Sequence, residues 1–329
     1  MSNPQTTHLN TTHINTTNTT NTTSSIAQLP PGTLWHRATT ATAHGLACGA
    51  LEPLATTHTT LNDRGICFSL RILDNLRRKA AAKQAKPADF NPFLPYDRDL
   101  FVADISNTHV CVLNKYNVFD HHLLIITRNF EAQTDWLNEA DFFALWLGLR
   151  ENGGLGFYNG GTDAGASQKH KHLQLVPFPL VPHATADRSS IPIANAVDHA
   201  EWHTTDGSPI GTAPDLPFPH AIAPLEPIWG DDPAIAARET LRRYHHALSA
   251  IGLPPTGTTQ TGAYNLLMTR DWLLVVPRSC ESVDGDAGSI SINALGFAGM
   301  LLAKNEAQHA WLQQRSPLDL LTQVCPDHT

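Results

Sequence analysis

Cysteine is scarce in this 329-residue chain: Cys48, Cys67, Cys111, Cys280 and Cys325 lie far apart, with no CxxC pair. That spacing excludes a disulfide framework or a zinc ribbon and fits reduced thiols in a cytosolic protein. No apolar run reaches the ~18 residues of a membrane span. The polar N-terminus carries no signal-peptide pattern. Positive charge is short as well: 22 Lys and Arg stand against 30 Asp and Glu, a net charge of −8. A nucleic-acid backbone is therefore disfavoured as the main partner, because that work needs a basic stripe. A local basic pocket for a small polyphosphate stays open. A GK[ST] element is missing too, which excludes a Walker loop.

What is present changes along the chain. Residues 1–28 form a Thr- and Asn-rich tract with almost nothing to bury, which reads as a disordered tail. Residues 66–72 read as a strand. The cluster Arg77, Arg78, Lys79, Lys83 and Lys86 follows, a solvated basic helix from which one cation could reach phosphate. Residues 100–105, 109–113 and 122–127 are β-rich runs bounded by turn residues. Asn138 caps a helix whose Phe143, Trp146, Leu147 and Arg150 recur at helical spacing. Residues 181–231, rich in Pro, His and Gly, read as an irregular connection. Asp232-Pro233 opens a second long helix that Gly252 closes. Residues 264–269 and 272–276 suggest a hairpin, and 293–304, 306–314 and the segment from Ser316 suggest helices. Residues 122–128 and 272–278 echo each other weakly.

The chemistry gathers between Gly156 and Pro179. A loop of Gly, Asn, Ser and Thr runs into His170-Lys171-His172-Leu173-Gln174. On a strand, side chains alternate faces, so His170, His172 and Gln174 share one face beside a loop able to offer N–H groups to an anion. Zinc would need a third ligand, and none follows at ligand spacing. No metal-ligating residues are therefore assigned. Nucleophilic attack on phosphorus fits better: His172 forms a covalent intermediate, His170 and Gln174 flank it, and Ser167 with the loop N–H groups stabilises developing charge.

These residues also carry a resemblance. His-x-His-x-Gln, with Ser167 and Asn159 before it, is similar to the histidine-triad superfamily. The strings NPFLPY, LNKYNVFDHHLLIITRNFE, FYNGGTDAGASQKHKHLQ, YNLLMTRDWLLVVPRS and INALGFAGMLLAKNE resemble diadenosine tetraphosphate phosphorylase, also called ATP adenylyltransferase, over roughly residues 66–324. The resemblance implies an α/β (α+β) fold of two related halves on antiparallel sheet. Residues 29–180 would be the catalytic half, and 232–329 a degenerate half supplying nucleotide contacts. His172 would take the adenylyl group and Gln174 hold the α-phosphate. Asn159, Gly165, Ala166, Ser167 and Gln168 would line the phosphate loop, and Asn114 and Lys115 the nucleoside. Asn293, Ala294, Leu295, Met300, Lys304 and Lys79 would also meet the nucleotide. The expected substrates are nucleotides and inorganic phosphate, with Mg²⁺ or another divalent cation on the polyphosphate and no organic cofactor. Two other readings stay open. A hexose-1-phosphate uridylyltransferase shares the strand but usually carries Pro where Lys171 stands, and a nucleotide-binding regulator would show no turnover.

Overall fold

The computed structural model describes residue 1 and residues 29–73, 90–205 and 207–327, Asn152 by its backbone alone. The tail expected over 1–28 and the basic cluster containing Lys79 lie outside the described residues. The chain opens with α1 (Leu34–Cys48), ended by Gly49 at φ 76°. An antiparallel hairpin follows, β1 (Thr56–Asp63) and β2 (Ile66–Leu73). Next come β3 (Phe101–Ala103), β4 (His109–Leu113) and β5 (Leu123–Thr127). Helix α2 (Glu139–Asn152) leads to β6 (Leu155–Gly160) and β7 (His172–Val176). Then come α3 (Ala194–Asp198), β8 (Glu201–Thr205), β9 (Ser208–Thr212) and β10 (Ala221–Pro224). Helix α4 (Pro233–Ala250) precedes β11 (Ala263–Met268) and β12 (Trp272–Arg278). The end holds β13 (Ser282–Val283), β14 (Ile290–Ser291), α5 (Ala294–Phe297), β15 (Met300–Ala303), α6 (Glu306–Gln313) and α7 (Pro317–Gln323).

Ten of these strands make one antiparallel sheet in the order β3-β4-β5-β7-β6-β11-β12-β10-β9-β8. Alternation decides what each face meets. Leu123, Ile125, Leu173, Leu175, Tyr158, Tyr264, Leu273 and Val275 join the core beneath α1, α2 and α4. Helix α2 is held there by a capping box in which Asn138 accepts from Ala140 and Asp141 while Asp141 accepts from the Asn138 N–H. On the other face, Phe157, Leu267, Leu274 and Val276 pack under the C-terminal segment. At the far side of that face, Val110, Val112, Leu124 and Ile126 are covered by Phe93. Between these two covers the face turns polar and a cleft opens.

The fold is α+β, dominated by antiparallel sheet, as expected, but three readings of the sequence need correction. Residues 181–231 are not irregular: they hold α3, β8, β9 and β10, which carry the sheet outward from β12. Their composition hides this, because every residue of β8 is exposed and the prolines of β9 and β10 sit at or near strand ends. Residues 293–304 are not one helix. Gly299 turns at φ 91° where a Cβ would meet Pro192 at 2.4 Å, and Met300–Ala303 then pairs in parallel with β2. A buried strand and a buried helix cannot be told apart from an apolar run alone.

The weak echo between residues 122–128 and 272–278 does not mark equivalent places. At the centre of the sheet β6 pairs with β11, and Asn159 stands opposite Asn265. Counting outward from that pair, β12 occupies the place of β7, not of β5. Phe157 pairs with Gln174, and Ala263 with Arg278. In this register Val276 stands where the first half has His172, and Arg278 where it has Gln174.

Candidate active site

The cleft has a volume of about 390 Å³ and is floored by β6 and β7. Of the side chains singled out from sequence, it gathers Asn114, Asn159, Gly165, Ser167, His172, Gln174, Asn293, Leu295, Met300 and Lys304. His172 is its centre. The Nδ1–H donates to the His170 carbonyl at 2.9 Å, and the His172 N–H donates to Gln133 Oε1 at 2.9 Å. With Nδ1 protonated and bonded, Nε2 carries the lone pair. Burial pushes the His172 pKa down to about 4, so the ring is neutral at physiological pH.

Gln174 is oriented by a residue that sequence reasoning passed over. His122, on the turn into β5, donates from Nε2 to Gln174 Oε1 at 2.9 Å, while Asn114 Nδ2 lies 3.3 Å from His122 Nδ1. Burial pushes His122 to about 4 as well, so it holds one ring proton. That proton occupies the Gln174 carbonyl and leaves the Gln174 NH₂ as the end able to donate into the cleft. The contact depends on the cross-strand register, in which Leu124 pairs with Gln174, and local sequence carried no signal of it.

His170 does not line the cleft. It is buried behind His172, its Nε2 bonds the Thr127 carbonyl at 2.8 Å, and Asn91 Nδ2 donates to its Nδ1 at 3.1 Å. It serves the site through its carbonyl, which fixes the His172 tautomer. Lys171, on the opposite face, is fully buried with Nζ 3.1 Å from Asp141 Oδ2 and 2.9 Å from Glu131 Oε2. Asp141 also accepts from His109 Nε2 at 2.9 Å. Its carboxyl is held below the ordinary range because these partners outweigh the opposing effect of burial, the largest single influence. The first residues of α2 are thereby tied to the residue before the nucleophile candidate.

The glycine loop offers fewer donors than its sequence suggested. The N–H groups of Ala164 and Ala166 bond Gly161 O, and that of Gly165 bonds Thr162 O at 2.8 Å. Of Ser167 and Gln168, Ser167 lines the cleft and Gln168 does not. Lys115 is also turned away: its Nζ pairs with Glu52 at 3.2 Å. Ala294 contributes through its backbone, donating to Asn159 Oδ1 at 2.9 Å. Asn265 Nδ2 donates to the same oxygen at 2.9 Å, which leaves Asn159 Nδ2 as the free donor end. Arg278 secures this far wall. It donates to the Asn265 side chain and to the carbonyls of Cys280, Ile292 and Val324. The cleft's described cations are Arg71 and Lys304, and its described carboxylate is Glu281.

His172, neutral and tautomer-fixed beside an amide donor, can take and release a nucleotidyl group, which is the chemistry of a nucleotidyltransferase. Residues 24–199 match the Ap4A phosphorylase N-terminal domain, and residues 214–327 the ATP adenylyltransferase C-terminal domain. The chain belongs to the Ap4A phosphorylase/ATP adenylyltransferase family. Protein APA1 of Saccharomyces cerevisiae is 27% identical over 225 residues, 63% of this chain and 65% of that protein. Diadenosine tetraphosphate phosphorylase 2 of the same yeast is 28% identical over 235 residues, 65% and 69% of the two chains. The crystal structure of yeast Ap4A phosphorylase Apa2 has the same fold, with a TM-score of 0.71 at 22% identity, covering 90% of this chain and 95% of that one. The structure of Apa2 in complex with Ap4A gives a TM-score of 0.69 at 22% identity, covering 90% and 98%.

Proposed function

We propose that the chain cleaves diadenosine tetraphosphate with inorganic phosphate, giving ATP and ADP through an adenylyl-His172 intermediate. The observation that carries this is the His172 ring: its Nδ1 is committed to the His170 carbonyl and its neutral Nε2 faces the cleft beside Gln174. Nε2 attacks the α-phosphorus, a P–N bond forms, the bridging P–O bond breaks, and ATP leaves with the electron pair. A phosphate oxygen then attacks the same phosphorus, the P–N bond breaks, and ADP is formed. Donors from Gln174 and Asn159 meet the charge that grows on the α-phosphate oxygens. An amide does not titrate, so Gln174 cannot protonate a leaving group or activate water. Both partners must therefore be stable or ready anions, as ATP and phosphate are. The same intermediate serves the reverse reaction.

A divalent cation such as Mg²⁺ would enter on the polyphosphate. Among the described residues lining the cleft the carboxylate is Glu281, which accepts from Ser291 at 2.7 Å. When bound, the cation neutralises charge on the departing phosphates. A cytoplasmic enzyme fits five free cysteines and the lack, among the described residues, of a helix long and apolar enough to cross a membrane. The test is product analysis of diadenosine tetraphosphate with and without phosphate. ADP plus ATP, dependent on phosphate, is expected; rapid phosphate-independent release of AMP would overturn the reading.

A further inference from the structure

Outside the cleft, α1 lies against the short turn that precedes β3. His44 and Cys48 sit at positions i and i+4 of α1, so their side chains project from one helical face. Asp99 comes from the single 3₁₀ turn Arg98–Leu100, whose preceding Asp97 accepts from the Asp99 N–H. The two elements meet at Gly45. A Cβ there would meet Leu51 Cβ at 3.0 Å and the Asp99 carbonyl at 3.6 Å. His44 Nε2 is 2.9 Å from Asp99 Oδ1 and 3.9 Å from Cys48 Sγ. All three donor atoms lie within 4.8 Å of one another, and all three residues are exposed. None of them lines the cleft.

We propose that His44, Cys48 and Asp99 form a surface site for one Zn²⁺ ion, with solvent as the fourth ligand. An imidazole, a thiol and a carboxylate are the three side-chain types zinc takes. Zinc bonds of ~2.0–2.3 Å at tetrahedral angles place ligand atoms about 3.3–3.6 Å apart. The 2.9 and 3.9 Å separations from His44 Nε2 bracket that value, and side-chain rotations bring the three atoms to it. The backbones need not move, because the helix spacing and the glycine contact already hold them. As the zinc–sulfur bond forms, the Cys48 thiol releases its proton to solvent. The imidazole keeps one proton on Nδ1 and turns the Nε2 lone pair to the metal, and Asp99 becomes a ligand instead of an acceptor. The charges of Zn²⁺, thiolate and carboxylate cancel. The ion would clamp α1 to the edge of the sheet without touching the chemistry.

The experiment uses the full, reduced chain titrated with Co²⁺ and then with Zn²⁺. One equivalent of Co²⁺ should produce tetrahedral visible bands and a near-ultraviolet thiolate-to-cobalt band, and Zn²⁺ should displace both. Histidines elsewhere can bind cobalt but cannot give the sulfur band. Cys48→Ser should abolish that band, and His44→Ala and Asp99→Asn should each weaken Zn²⁺ binding at least about tenfold. Zn²⁺ should raise the melting temperature of the wild type and leave that of Cys48→Ser unchanged. Absence of the sulfur band in the wild type would overturn the proposal. So would a band that survives Cys48→Ser, which would place the thiolate elsewhere, Cys67 being another exposed cysteine. Wild-type affinity in His44→Ala would do the same.

Discussion

His172 has one available nitrogen because a carbonyl two residues back holds the other. Its replacement by alanine should lower kcat at least about 10³-fold, roughly 4 kcal/mol of barrier, while acid-labile adenylylation of the protein disappears. The neutral ring is the reactive form, and burial lowers its pKa to about 4. The acid limb of the pH–rate profile should therefore fall near that value and not near the ordinary 6.5; a limb at 6.5 would mean an exposed, freely titrating ring. His122 belongs to the same scale. His122→Ala frees the Gln174 amide to turn, and should cost about tenfold in kcat/KM, the worth of one lost hydrogen bond, with adenylylation still found on His172. Gln174→His restores a titrating group, and the share of AMP formed by hydrolysis should rise. Unchanged products from that variant would refute the role given to the amide.

At the scale of elements, β7 is held from both faces. Above it stand the cleft groups, and below it Lys171 is buried against Asp141. Lys171→Met takes the lysine cation from the buried Asp141 carboxylate and leaves it held by His109 and the Asn138 N–H, which should destabilise the fold by ~3 kcal/mol in denaturant melts. Adding Asp141→Asn should recover part of that loss, although it also weakens the cap of α2. The loop before β7 has its own constraint. Gly165 sits at φ 84°, and a Cβ there would meet Ile292 O at 2.8 Å and Asn293 Cβ at 2.9 Å. Gly165→Ala should therefore push the loop away from the C-terminal wall, raising KM for the dinucleotide and lowering the melting temperature together.

Among the described residues the ten-stranded sheet has two halves that meet at β6 and β11, and the proposed nucleophile stands on β7 of the first. In the second half Val276 and Arg278 hold the places of His172 and Gln174, and Arg278 has become a clamp on carbonyls around the cleft. Stability should follow the buried histidines. His122 and His172 both have folded values near 4, below the unfolded 6.5. Between those values the unfolded chain binds protons that the folded chain does not. Their contribution is complete above about 6.5 and is lost as pH falls toward about 4, a slope that melting curves over this window would reveal. A chain beginning at Gln28 should keep both melting temperature and turnover, since residues 1–28 contain almost nothing to bury.

The reactive strand, the capped helices α2 and α4 and the strand pairs around them were legible in the sequence, because each rests on local chemistry. Asn138 and Asp232 cap, Gly252 closes, and alternation puts His172 and Gln174 on one face. The roles of His122 and Lys171 were not legible. Each depends on a partner brought near by sheet register or helix packing, 52 residues away for His122 and 30 for Lys171. The same holds for β8 to β10 and for β15, whose residues have weak or ambiguous local preferences and become strands only because a neighbour offers its edge. Local patterns, then, determined the strand that carries the proposed nucleophile. Long-range pairing decided which end of Gln174 faces the cleft and placed Val276 and Arg278 in the second half where the first has His172 and Gln174.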